Sequence, residues 1–265
     1  MKIVIVKELR IHRKMLIIWS LILFLTAAFG GVEFQGLQGQ MELLAGTVDN
    51  FPKIVRIAFG VDAFPIDIGL GGYASMFYWY QIVAFAFAVF LGVHVVCKDE
   101  REHTADFLFT KPLDRRTVLL SKALFVMLSN AIIALVTAVG TMIFLVPILH
   151  EPGLWFHVAT SSIGMFLTQL IFSSIGMLSA VITKNYRGAL RLAFLKLIAA
   201  YVFAFIIEYR GDIGYLNFLT PVRYFNLYDM VNYGFSVFYV ILTIAITAGC
   251  LVYALHQFRK RDLIG

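Results

Sequence analysis

The stretch Lys98-Asp99-Glu100-Arg101-Glu102-His103-Thr104-Ala105-Asp106-Phe107-Leu108-Phe109-Thr110-Lys111-Pro112-Leu113-Asp114-Arg115-Arg116 crowds charge of both signs between two apolar runs, each long enough to cross a bilayer. Elsewhere the chain is so apolar that charge at this density belongs in water. Phe107 and Leu108 inside it need a protein partner or the membrane surface to cover them. The segment therefore reads as an exposed docking surface on a membrane protein.

Composition supports the same class. The chain is 60% hydrophobic and 14% charged, with mean hydropathy +0.84, whereas a soluble globule carries charge on roughly a quarter of its residues. A net charge of +6 would point to nucleic acid in a soluble protein. Here the basic residues flank apolar spans, where they set orientation and meet anionic headgroups, so no nucleic-acid partner is expected. Cys97 falls at the charged end of one span and Cys250 inside another, so neither marks an exposed stabilising disulfide.

Apolar runs of about 18 residues or more mark six spanning helices, near 15–34, 73–97, 118–147, 155–182, 190–209 and 236–256. The first could be read as a signal peptide with Ala27-Ala28 near its cleavage site, but its length and the five spans that follow favour an uncleaved helix. Lys2, Lys7, Arg10, Arg13 and Lys14 fall on one side with Lys98, Arg101, Lys111, Arg115, Arg116 and Lys122. Lys184, Arg187, Arg191, Arg259, Lys260 and Arg261 join them, giving 17 basic residues against Lys53, Arg56, Arg210 and Arg223, 4 in all, with Lys196 inside a span. The excess places both termini and the 98–117 loop in the cytoplasm of an all-α polytopic protein of the cell membrane. The aromatic residues Phe77, Tyr78, Trp79, Tyr80, Trp155, Phe156 and Tyr209 are expected in the outer interface belt.

Two outer loops predict short helices. Pro52 starts one and Gly60 stops it; Thr220 as N-cap before Pro221 opens another over 222–231. Lys196 is expected to snorkel towards the cytoplasmic interface, and Glu208 and Arg210 to offset each other. The fourth span carries Ser161, Ser162, Gly164, Thr168, Ser173, Ser174, Gly176 and Ser179, which favours close helix packing over a substrate path.

Reactive constellations are missing. There is no phosphate-binding Gly-x-x-x-x-Gly-Lys-Ser/Thr loop and no His-Glu-x-x-His pair, and His150 and His157 flank one outer loop, where interfacial polar roles suit them better than a shared metal. No catalytic residue, metal or cofactor is expected on the chain, and any ATP dependence has to come from a partner.

The island itself parses as a helix continuing to about Phe109, a break at Pro112, and a helix capped by Asp114 running into the third span. Glu100, Thr104, Leu108, Pro112, Arg115 and Lys122 fall in a pattern that resembles Glu-x-x-x-Gly-Thr-x-x-x-Leu-x-x-x-Pro-x-x-Arg-x-x-x-x-x-x-Lys of bacterial type-2 ATP-binding-cassette (ABC-2) permeases. His103 stands where that family usually has glycine, and Phe107 flanks the leucine position. The resemblance implies that Glu100, Glu102, Thr104, Phe107, Leu108, Pro112, Arg115 and Lys122 form a coupling loop for ABC ATPase subunits. ATP and Mg would reside on those partners. It further implies a homo- or heterodimer of permease subunits and export of a substrate, for which the apolar surface favours an amphiphile. Lys7-Glu8-Leu9-Arg10 looks like the family's interfacial elbow helix, and Leu219 to Phe225 like its segment before the last span. The competing reading is a membrane anchor or sensor that recruits a cytosolic partner through the island without moving a solute.

Overall fold

The computed structural model describes residues 2–101, 115–183 and 185–260, and among these no strand occurs. Six helices are long and apolar enough to cross a membrane: α1 (Lys2–Gly36), α4 (Gly69–Arg101), α5 (Arg115–Phe144), α7 (Leu154–Ile182), α8 (Tyr186–Arg210) and α10 (Val237–Lys260). Short helices α2 (Met41–Asp49), α3 (Lys53–Phe59), α6 (Val146–Leu149) and α9 (Leu227–Tyr233) join them, with two 3₁₀ turns at Gly214–Leu219 and Pro221–Arg223. The all-helical class and the number of spans agree with the sequence reading.

Burial divides the spans into core and rim. The most apolar stretch of α4 is 72% buried and that of α7 67%, against 22% for α8 and 11% for α10. Burying α4 and α7 against each other follows from their small residues, because lipid is as apolar as leucine and helices associate in it through close packing and interhelical hydrogen bonds. The Gly92 and Gly176 backbones meet here: a Cβ on Gly92 would stand 2.2 Å from the Ser173 carbonyl oxygen, and one on Gly176 2.6 Å from that of Val89. Asn130 of α5 donates to Ser173 Oγ across 3.1 Å, and Tyr73 of α4 lies 2.5 Å from Ser161 Oγ. Tyr73→Phe removes that contact while Ser161 keeps its bond to the His157 carbonyl. The expected loss is about 0.6 kcal/mol, the average for such bonds in membrane proteins, read as a small drop in thermal stability in detergent.

Two interface assignments change. Phe77 and Tyr80 are core residues, 2% and 0% exposed, while Trp79, Trp155, Phe156 and Tyr209 are exposed as belt residues are. Four consecutive helical positions cover most of a turn, so some of them must face inward.

At the end opposite the N-terminus, α3 begins after Pro52 and stops at Gly60, whose φ of +71° supplies the left-handed cap. Thr220 does not cap a helix through its side chain: its hydroxyl donates to the Ala200 carbonyl of α8 at 2.8 Å. The helix expected over 222–231 is divided, a 3₁₀ turn ending at Arg223 and α9 starting after Asn226, whose side chain accepts from the Asp229 N–H at 2.8 Å. Tyr224 donates to the Phe218 carbonyl and stacks on Tyr239. Burial, with Tyr239 beside it, pushes the Tyr224 hydroxyl up to about 12, so it stays a donor through the neutral range. Glu208 pairs with Arg223 at 2.7 Å rather than with Arg210, which bonds Asp212. Hydrogen bonds from the Arg210 guanidinium hold the exposed Asp212 carboxyl below the usual carboxylate range.

Candidate functional site

The last turn of α4 ends at Arg101 and α5 opens at Arg115, so the two helices bracket the charged island. The backbone places Glu100 in that last turn and Arg115 at the first position of α5. Glu102, Thr104, Phe107, Leu108 and Pro112 lie outside the described residues, as does the Asp114 cap. Both flanking helices are about 45 to 50 Å long at 1.5 Å per residue, well beyond the roughly 30 Å hydrocarbon layer.

Lys122 sits two turns into α5 and is 2% exposed. Its Nζ donates to the Val95 carbonyl of α4 and lies 3.9 Å from Glu8 Oε1 of α1. Glu8 is 2% exposed and His12, one turn on, 3%. His12 Nδ1 stands 3.0 Å from the Glu8 carbonyl and 3.3 Å from Glu8 Oε2. Both neighbours are acceptors, so Nδ1 carries the proton whether or not the ring is charged. The His12 ring packs edge-on against His94 of α4 and tilted against Phe125 of α5. His94 stacks on Phe90 and reaches the Tyr186 hydroxyl of α8 at 3.5 Å.

Four of the six spans thus converge on one buried polar knot directly beneath the island. A buried lysine and a buried carboxylate are tolerable only together, because either alone would be an uncompensated charge in a low-dielectric setting. The knot therefore ties α1, α4 and α5 together near the ends of α4 and α5.

Glu8 and His12 were not singled out by sequence. The region resembling an elbow helix is instead the first part of one continuous 35-residue helix, α1. Lys7, Arg10, Arg13 and Lys14 are exposed while Glu8, His12 and Leu16 line the buried stripe, which continues through Leu23, Ala27 and Phe34. Amphipathicity is inverted locally, since two of the inward residues are polar. The detectable signal was the repeated spacing of four from Glu8 to His12 to Leu16, aligned with the apolar stripe further along.

The site offers no reactive set. Among the described residues no group of three His, Cys, Asp or Glu side chains is placed to hold a metal. What the arrangement does is hold α1, α4 and α5 together through buried polar contacts. In comparison with known proteins, the sequence model described as ABC-2 family transporter protein matches residues 3–263. No curated protein matches the chain.

Proposed function

Because this chain belongs to the ABC-2 family of transporter proteins, we propose that it is the permease subunit of an ATP-driven exporter of an amphiphilic or hydrophobic substrate. It works as a dimer of such subunits with two separate ABC ATPases, which supply ATP and Mg. The excess of basic residues at the end carrying the N-terminus and the 98–117 segment supports placing that end in the cytoplasm. The chain itself is not an enzyme. Closure of the ATPases pushes on the segment from Glu100 to Arg115, and α4 and α5 carry the displacement to the other permease subunit.

The observation that carries this reading is the polar knot of Glu8, His12 and Lys122. A loop that only set topology would need no buried ion pair beneath it, whereas a loop that receives force needs its two helices tied so that they move together. Lys122 serves coupling from beneath, as a positioning residue, and Glu100, Glu102, Thr104, Phe107, Leu108, Pro112 and Arg115 form the contact surface.

The test is the double variant Phe107→Asp with Leu108→Asp, alongside Glu100→Lys with Glu102→Lys. Expected is the loss of substrate-stimulated ATP hydrolysis in liposomes, with insertion and yield unchanged. Normal transport by both variants would reduce the island to an orienting loop. ATPase binding without any substrate-stimulated hydrolysis in the unmodified complex would instead favour the anchor reading.

A further inference from the structure

At the end of the bundle away from the knot, α4, α8, the turn after α3 and the segment leading into α9 enclose a cavity of about 260 Å³. Tyr201 lies deep in its wall, and Glu208 lies two turns further along α8, about 10 Å nearer the helix end. Arg223 and Asp62 join Glu208 in the lining. The Glu208 side chain is 35% exposed and that of Arg223 18%, so the charged pair forms the rim rather than the floor.

The guanidinium of Arg223 gives Nη1 to Glu208 at 2.7 Å. Its Nε is buried with no hydrogen-bond partner among the described residues, and so is the hydroxyl of Tyr201. An arginine with one edge engaged keeps donors suited to a phosphate or carboxylate oxygen. A plain anion would meet the carboxylate of Glu208, and a plain cation would compete with Arg223 for Glu208 and with Arg56, 3.0 Å from Asp62, for Asp62. A ligand carrying both signs close together meets neither objection.

The surroundings suit a cavity at the lipid interface. Ile54 and Phe59 of α3, Trp79 and Tyr209 are exposed, and the Phe59 and Trp79 rings meet edge-on at 6.4 Å. Aromatic side chains in such numbers mark the headgroup level of a bilayer. The vertical order of the polar groups also follows a phospholipid in its leaflet: charged groups at the rim and a hydroxyl deeper, where ester oxygens lie. A volume just under the usual range for small-ligand sites admits a headgroup and excludes acyl chains.

We propose that this cavity binds the headgroup of a zwitterionic phospholipid, with phosphate on Arg223, ammonium on Glu208, and a glycerol-ester oxygen near the Tyr201 hydroxyl. The site is one of occupancy and stands whether or not the bound lipid is carried across the membrane.

The test is native mass spectrometry of the full chain released from bilayers holding equimolar phosphatidylethanolamine, phosphatidylcholine and phosphatidylglycerol. Retained lipid is expected to favour the two zwitterionic species by roughly tenfold, the scale of one partly buried cation–carboxylate contact, which a trimethylammonium makes as an ammonium does. Glu208→Gln removes the ammonium partner, and Ala204→Trp fills the cavity from its lining without changing charge. Both variants are expected to bring the ratio near unity, and two different lesions keep the result readable if one fails to fold. Equal retention of phosphatidylglycerol by the unmodified chain, or an unchanged preference in both variants, would overturn the proposal. So would displacement of the lipid by equimolar water-soluble glycerophosphoethanolamine, since the occupant would then be a solute.

Discussion

Replacing Lys122 with methionine is expected to destabilise the chain by about 3–5 kcal/mol, the cost of removing one partner of a buried pair. Methionine matches the lysine stem in volume, so packing survives while the charge does not. Glu8, 2% exposed, keeps its carboxylate but loses the Nζ 3.9 Å away, and the Val95 carbonyl loses its donor. His12 Nδ1 stays 3.3 Å from Glu8 Oε2 and offsets part of the loss.

The second arm removes both charges. Glu8→Gln combined with Lys122→Met leaves no ion to bury, and replacing a whole pair with neutral groups is often close to neutral. The double variant should recover most of the stability lost in Lys122→Met, giving a non-additive cycle as contacting residues do. Thermal unfolding in detergent reads all four chains of the cycle: the parent, Glu8→Gln, Lys122→Met and the double variant. If the single changes cost little and simply add, the three residues are neighbours without being a unit, and the tie between α1, α4 and α5 loses its energetic basis. Stability recovered without transport would assign Lys122 to positioning, because the helices would be packed but no longer fixed in register.

How much of this could be seen beforehand depends on the kind of information. Span number followed from run length, and α3 from its Pro52 start and Gly60 stop, since both are local properties of backbone and solvent. The packing face of α7 followed from its serines and glycines. Pairings between elements were not legible. Arg223 takes Glu208 because the 3₁₀ turn folds back on α8, while the nearer Arg210 bends to Asp212 beyond the Gly211 cap. Thr220 looked like a cap because of Pro221, yet the Ala200 carbonyl was a competing acceptor that only the fold brings within reach. Glu8 and His12 were hidden for a related reason: charged residues near a terminus are ordinarily solvated, and only a lysine from another helix makes their burial affordable.

The contact between α4 and α7 yields the other large effect. Gly92→Ala is expected to destabilise the bundle by about 1–3 kcal/mol or more, in the range of overpacked cores, because the added methyl would sit 2.2 Å from the Ser173 carbonyl oxygen and 3.1 Å from the Met177 nitrogen. Both obstacles are backbone atoms of a helix, so no rotamer change relieves them and the helices must move apart. Separation would also weaken the neighbouring contact at Gly176, where a methyl would stand 2.6 Å from the Val89 oxygen, so Gly176→Ala should act in the same direction with a smaller effect. Gly249→Ala on α10 serves as the control: nothing lies within 4 Å of its added carbon, and alanine favours helix over glycine by up to about 1 kcal/mol. Melting in detergent should therefore rank the control at or above the parent chain, then Gly176→Ala, then Gly92→Ala. An unchanged melting point for Gly92→Ala would mean that the two backbones do not approach as closely as described. The functional consequence follows from position: α4 ends at the island on one side and lines the cavity around Glu208 and Arg223 at the other. Loosening its seat on α7 should weaken ATPase coupling even where the chain still inserts and folds, and substrate-stimulated hydrolysis measured below the variant's melting temperature separates that loss from simple unfolding.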